Sequence, residues 1–159
     1  MWPLIRNSPG PRRVLAAGAL CLSIALAALL PHALRAEPSS GAAIFAARCA
    51  VCHGAQAAGI PGTFPSLHEQ VIAFGKSPEG RDYLIMVVSS GLMGELKVAG
   101  VHYNNVMPAQ SILSEADVAA VLSYLSGAAI GAEDVKDARA RHAGNTAQGT
   151  RALRPASEP

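Results

Sequence analysis

Cys49-Ala50-Val51-Cys52-His53-Gly54 is the stretch that decides how this chain is read. Two thiols separated by two residues fall about one turn apart at a helix end, so both sulfurs face the same way. With a histidine directly after the second cysteine, this is the attachment signature of c-type haem. The thiols add across the two vinyl groups of the porphyrin, and the adjacent imidazole is held under the iron as proximal ligand. Gly54 lets the backbone leave the helix close to the ring. Cys49 and Cys52 are thus the expected thioether anchors and His53 the first metal ligand. A thioredoxin-like redox pair needs alternating strands and helices around it, and no convincing set of strands is legible. Structural zinc needs four ligands, and no second cysteine pair follows.

The segment before this motif explains the composition. The chain has 159 residues and a formal net charge of +2, enough for one domain and little more. Residues 14–30 carry no charge and are mostly Ala and Leu; Arg6, Arg12 and Arg13 precede them, and Ala33-Leu34-Arg35-Ala36 follows. A positive start, an apolar middle and a small-residue end read as an export signal over residues 1–36. The apolar run also approaches the roughly 17 residues that span a bilayer, so an uncleaved membrane anchor is the alternative. Cys21 sits inside this run, after Leu20 rather than a small residue, and is discarded with the signal or inert in lipid. The four arginines before residue 37 account for the positive balance, and the remainder is slightly acidic. No basic patch with interleaved aromatics suggests nucleic-acid binding. A membrane partner is expected only if residues 14–30 persist as an anchor.

Downstream the pattern is helical. Ser40 can cap a helix from Gly41 to about Cys52. Ser77-Pro78-Glu79 opens a second, which carries an apolar stretch from Tyr83 to Val88 and stops at Gly91. Ser114-Glu115-Ala116-Asp117 opens a third by a capping-box pattern, with Val118, Val121, Leu122 and Leu125 on one face and Gly127 at its end. Lys97 to Tyr103 suggests a short hairpin around Gly100.

These features resemble the small single-haem cytochrome c family with His–Met ligation, over about residues 40–127. Gly41 and Phe45 stand where that family packs its first helix crosswise on its last; Val121, Tyr124 and Leu125 stand on the facing helix. The resemblance implies an all-α cytochrome c fold, three to five helices wrapped around one covalent haem c. It implies that the Pro65 carbonyl, in Pro65-Ser66-Leu67, accepts a hydrogen bond from the outer nitrogen of His53 and orients the metal-bound imidazole. It also identifies Asn105-Val106-Met107-Pro108-Ala109 with the distal methionine loop. Met107 is then the sixth ligand, a soft thioether that favours reduced iron and raises the potential. Met86 reads as core filling and Met93 as a turn residue. Tyr103, Asn104 and Asn105 are donors within reach of haem propionates or of the methionine sulfur. His68, His102 and His142 have bland readings, with His102 the alternative sixth ligand of a bis-histidine form.

The expected organisation is an export segment at 1–36, a cytochrome c domain at 37–130 and a mobile tail at 131–159. The tail holds few large apolar groups, with at most a frayed helix over Ala132 to Arg141. With both axial positions filled by protein, the expectation is a periplasmic one-electron carrier and not a catalyst. It would work free or as the cytochrome subunit of an oxidoreductase, between redox proteins such as a dehydrogenase and a terminal oxidase or reductase. A peroxidase-like enzyme or a gas-binding sensor would need an open or labile distal position.

Overall fold

A computed structural model describes residues 40–156. The export segment read over 1–36 lies outside them. Helix α1 runs through three consecutive pieces, Gly41–Ile44, a π-helical turn Phe45–Cys49, and Ala50–His53. Ser40 caps it by accepting from the Ala43 N–H at 3.2 Å. The wide turn sits directly before the cysteine motif, the kind of place where π-bulges recur. Glycine ends the helix, as expected, with Gly54 at φ 76°.

Helix α2 (Glu69–Phe74) has no counterpart in the sequence reading. It is short, and its starting residue His68 makes no side-chain cap, so Glu69 in the first turn is the one start signal it carries. Helix α3 (Pro78–Ser90) begins as expected, with Ser77 accepting from the Gly80 N–H at 3.0 Å and Pro78 in the first turn. Strands β1 (Leu96–Val98) and β2 (Val101–Tyr103) pair antiparallel, Leu96 opposite Tyr103 and Val98 opposite Val101. Their turn residues Ala99 and Gly100 both take positive φ, which matches the twist of a two-residue hairpin.

Helix α4 (Glu115–Ser126) starts with the reciprocal capping box read from the sequence, Asp117 N–H to Ser114 Oγ at 3.2 Å and Ser114 N–H to Asp117 Oδ2 at 3.1 Å. It crosses α1 where Gly41 meets it. A Cβ on Gly41 would collide with the Ala120 carbonyl and lie 2.7 Å from Tyr124 Cβ. Phe45 packs its ring 6.0 Å from that of Tyr124. The core lies between α1, α3 and α4, around Ile44, Phe45, Ile85, Val118, Val121 and Leu122.

Within the stretch read as a mobile tail at 131–159, the described residues to 156 instead form helices α5 (Ala132–Arg141) and α6 (Ala147–Ala152), and residues 157–159 lie outside the described ones. The count among the described residues rises accordingly to six helices, against three to five expected. The composition argument failed because docking here needs little apolar bulk. Val135, Ala138 and Thr150 are small and fully buried. Polar ties then carry the rest: Arg139 donates to Glu115 at 2.8 Å, to Ser89 at 3.1 Å and to the Leu113 carbonyl at 3.1 Å. Arg141 pairs with Asp82 at 2.7 Å.

Candidate functional site

The fold leaves a cleft of about 890 Å³, open solvent included, walled mostly by apolar side chains. Cys52, His53 and Pro65 stand on its lining together with Met107, Tyr103 and Asn105, residues far apart in the chain. Val71, Phe74, Leu84, Val87 and Val98 supply much of the apolar wall. A cleft of this kind, mostly apolar with a few convergent donors, is the general form of a cofactor site.

On the proximal side α1 delivers His53, which is buried, and the loop after Gly54 folds back beneath it. Gly59 N–H donates to the His53 carbonyl at 2.8 Å and Leu67 N–H to the Ala57 carbonyl at 2.9 Å. That loop brings the Pro65 carbonyl to 2.9 Å from His53 Nδ1. With Nδ1–H donating to Pro65, Nε2 keeps its lone pair for the cleft. Burial pushes the imidazole below its ordinary range, against the opposing pull of the Pro65 bond. The neutral ring is the form that binds a metal. Gly59 is required here twice over. It sits at φ +70°, and a Cβ on it would lie 2.7 Å from the Pro65 carbonyl oxygen.

On the distal side Met107 exchanges both backbone hydrogen bonds with Leu92, at 2.9 and 3.0 Å. Gly91 makes room for this, since a Cβ there would approach the Met107 carbonyl oxygen to 2.6 Å at φ +81°. Asn105 Nδ2 donates to the Thr63 carbonyl at 2.9 Å and so ties the distal loop to the proximal one. Of the other methionines weighed, Met86 is buried in α3 and Met93 is half exposed; neither is on the cleft lining. His102 is also off it, paired with Glu95 at 3.0 Å on the surface, and His68 is exposed. His142 lies at the end of α5, 3.6 Å from Asp82.

Cys49 and Cys52 are free, half-buried thiols. Burial first, and then the neighbouring Cys52, raises the Cys49 thiol above its ordinary value. The sequence reading missed Arg154, Gln70 and the Asn105–Thr63 tie. Arg154 carries the cation on an otherwise apolar lining, donating to Gln70 at 3.0 Å with its guanidinium 5.7 Å over the Phe74 ring. No motif announces it, because it arrives with α6 from a segment whose composition suggested no docking.

The Cys52 thiol, an imidazole and a thioether on one apolar cleft of a helical domain, with Cys49 in the helix just before Cys52 though not on the lining, fit the class of protein that holds a covalent haem. The comparisons place the chain within that class. The family model described as "Cytochrome c" matches residues 39–129, and the chain belongs to the cytochrome c family. It is 40% identical over 111 residues to a cytochrome c-552 of Thermus thermophilus, covering 70% of this chain and 74% of that one. A second cytochrome c-552 from the same species is 41% identical over 98 residues, covering 62% and 74%. The cofactor is covalently bound haem c, and the role is haem-based electron transfer. None of the helices among the described residues is long and apolar enough to cross a membrane.

Proposed function

We propose that this chain is an exported, periplasmic one-electron carrier whose haem is anchored on Cys49 and Cys52 and ligated by His53 and Met107. The observation that carries the reading is the convergence of His53, oriented by Pro65 at 2.9 Å, and Met107, pinned to Leu92, on one apolar cleft. When bound, the haem supplies an iron that cycles between Fe(III) and Fe(II).

The chain's own residues do the rest. His53 donates Nδ1–H to Pro65, which fixes the ring orientation and makes Nε2 a better donor. Met107 brings a neutral thioether, which adds no charge to the site and favours the reduced state. With haem bound, His53 and Met107 would be the residues that hold the iron, leaving no open position for a substrate. Phe74, Leu84 and Val87 keep water from the cleft. Arg154 and Tyr103 stand on the lining as donors suited to the two carboxylates that haem carries. Val51, between the two cysteines, is 84% exposed, so a haem held on Cys49 and Cys52 would have that attachment region near solvent, where electrons could pass to a partner. The partners are other redox proteins, a dehydrogenase as donor or a terminal oxidase or reductase as acceptor. Residues 1–36 carry the chain out of the cytoplasm.

The test is a visible spectrum of protein made in cells that attach haem c. The expected result is a low-spin reduced spectrum that carbon monoxide does not change. The ferric form should show a weak long-wavelength methionine-to-iron band. Met107→Ala should abolish that band and lower the reduction potential by on the order of 0.1 V, a modest part of the ~0.8 V over which axial ligands set haem potentials. A high-spin spectrum that shifts with carbon monoxide would overturn the reading. The mass of the exported protein shows whether residues 1–36 are removed.

A further inference from the structure

Met107 pairs with Leu92 by one isolated pair of backbone bonds, and its loop is also tied by Asn105 to the Thr63 carbonyl before it and by the Gln110 N–H to the Val88 carbonyl at 2.8 Å after it. Between those flanking ties, the hold on Met107 itself depends on how firmly Leu92 is held. Helix α3 ends at Ser90 and β1 begins at Leu96, so residues 91–95 lie between regular elements. Their second partner is the segment from Asn145 to Arg154. Met93 N–H donates to the Ala147 carbonyl at 3.0 Å. Arg151 Nη1 donates to the Glu95 carbonyl at 3.1 Å. The Arg151 side chain also lies over Gly94, where an added Cβ would be 3.5 Å from its Cδ.

That segment is itself well anchored. Thr150 is fully buried; its hydroxyl donates to the Thr146 carbonyl at 3.0 Å and accepts from Asn145 Nδ2 at 2.8 Å. Thr146 caps α6 by accepting from the Gly149 N–H at 3.1 Å. At the far end Arg154 reaches Gln70 on α2. The segment therefore spans from residues 93–95, beside the distal loop, to α2 on another wall of the cleft.

We propose that Asn145–Arg154 is a clasp that positions Met107. By holding residues 93–95 from outside, it restrains Leu92, and through Leu92 the methionine that faces the iron. Because Leu92 and Met93 are adjacent, a movement of Met107 together with Leu92 pulls on the clasp. Thr150 and Arg151 are positioning residues that act through this chain of backbone bonds. The proposal rests on the reading of Met107 as axial ligand.

The test uses the ferric holoprotein and imidazole, a probe that reaches the iron only when the Met107 sulfur has left. Thr150→Val and Arg151→Ala should each speed imidazole binding about threefold, and the double variant about tenfold, the effect of losing hydrogen bonds of ordinary net strength. The methionine-to-iron band should persist in all three. Val135→Ala, in α5, serves as a control for general loss of stability. It should lower the melting temperature yet leave the imidazole rate within about twofold of wild type. An unchanged rate in the double variant, or an equal acceleration by Val135→Ala, overturns the clasp. Met107→Ala measured alongside separates the two readings. If its ferric band survives, the ligand assignment falls; if the band vanishes while the clasp variants exchange at the wild-type rate, only the clasp falls.

Discussion

At His53 two demands meet, and neither is satisfied by the motif alone. The imidazole must be neutral and must point Nε2 into the cleft. Burial meets the first, and the Pro65 carbonyl at 2.9 Å meets the second. Pro65 is in turn positioned by the loop that passes Gly59, whose missing side chain permits the approach. Gly59→Ala therefore combines a strained positive φ with a contact on the Pro65 carbonyl. It should cost about 1–3 kcal/mol in denaturant unfolding, and it should move the reduction potential because the histidine bond is disturbed. An unchanged potential with lowered stability would confine the role of Gly59 to folding. Cys49, Cys52 and His53 could be nominated from the sequence because they form a short motif with its own chemistry, and Met107 from its Met-Pro context and the family resemblance; the structure places Cys52, His53 and Met107 on one cleft. Arg154 and the Asn105–Thr63 tie were not, since their roles exist only once distant segments meet.

Among the elements, those with local start and stop signals were read correctly. Helix α4 shows why: its capping box and its glycine end are written within the segment itself. Helix α2 was missed because it has no cap, and α5 was underestimated because its burial depends on what lies opposite. Val135 on α5 is fully buried in that docking. Val135→Ala should destabilise the protein by about 2 kcal/mol through the cavity it leaves, measured by thermal or denaturant melting. The same contact has an electrostatic arm. Glu115 lies at the N-terminus of α4, where its own backbone N–H, and then Arg139 from α5, hold its carboxyl below the ordinary 4.5. A carboxyl with a lowered folded pKa stabilises above its unfolded value and loses that contribution as pH falls through the folded one. The melting temperature of Glu115→Gln should thus lie below wild type at neutral pH and converge with it as pH falls through the lowered carboxyl pKa. A gap that persists at low pH would mean the residue acts through packing.

For the whole molecule, the cleft is the governing feature. On the proposed reading, the haem would fill this apolar space. Protein carrying Cys49→Ser and Cys52→Ser, made without haem, should keep helical far-ultraviolet dichroism but lose the near-ultraviolet signal of fixed packing. Retention of that signal would show that the polypeptide closes the cleft unaided. The sequence by itself determined the cofactor, its covalent anchors, the helices that carry their own caps, the hairpin and the family resemblance, because each is a local pattern of chemistry or geometry. Only the tertiary structure decided that the last helices are part of the domain. Their attachment comes from small buried residues and from arginines that find partners on other helices. Those terms depend on complementarity between surfaces remote in the chain, which composition and periodicity do not encode.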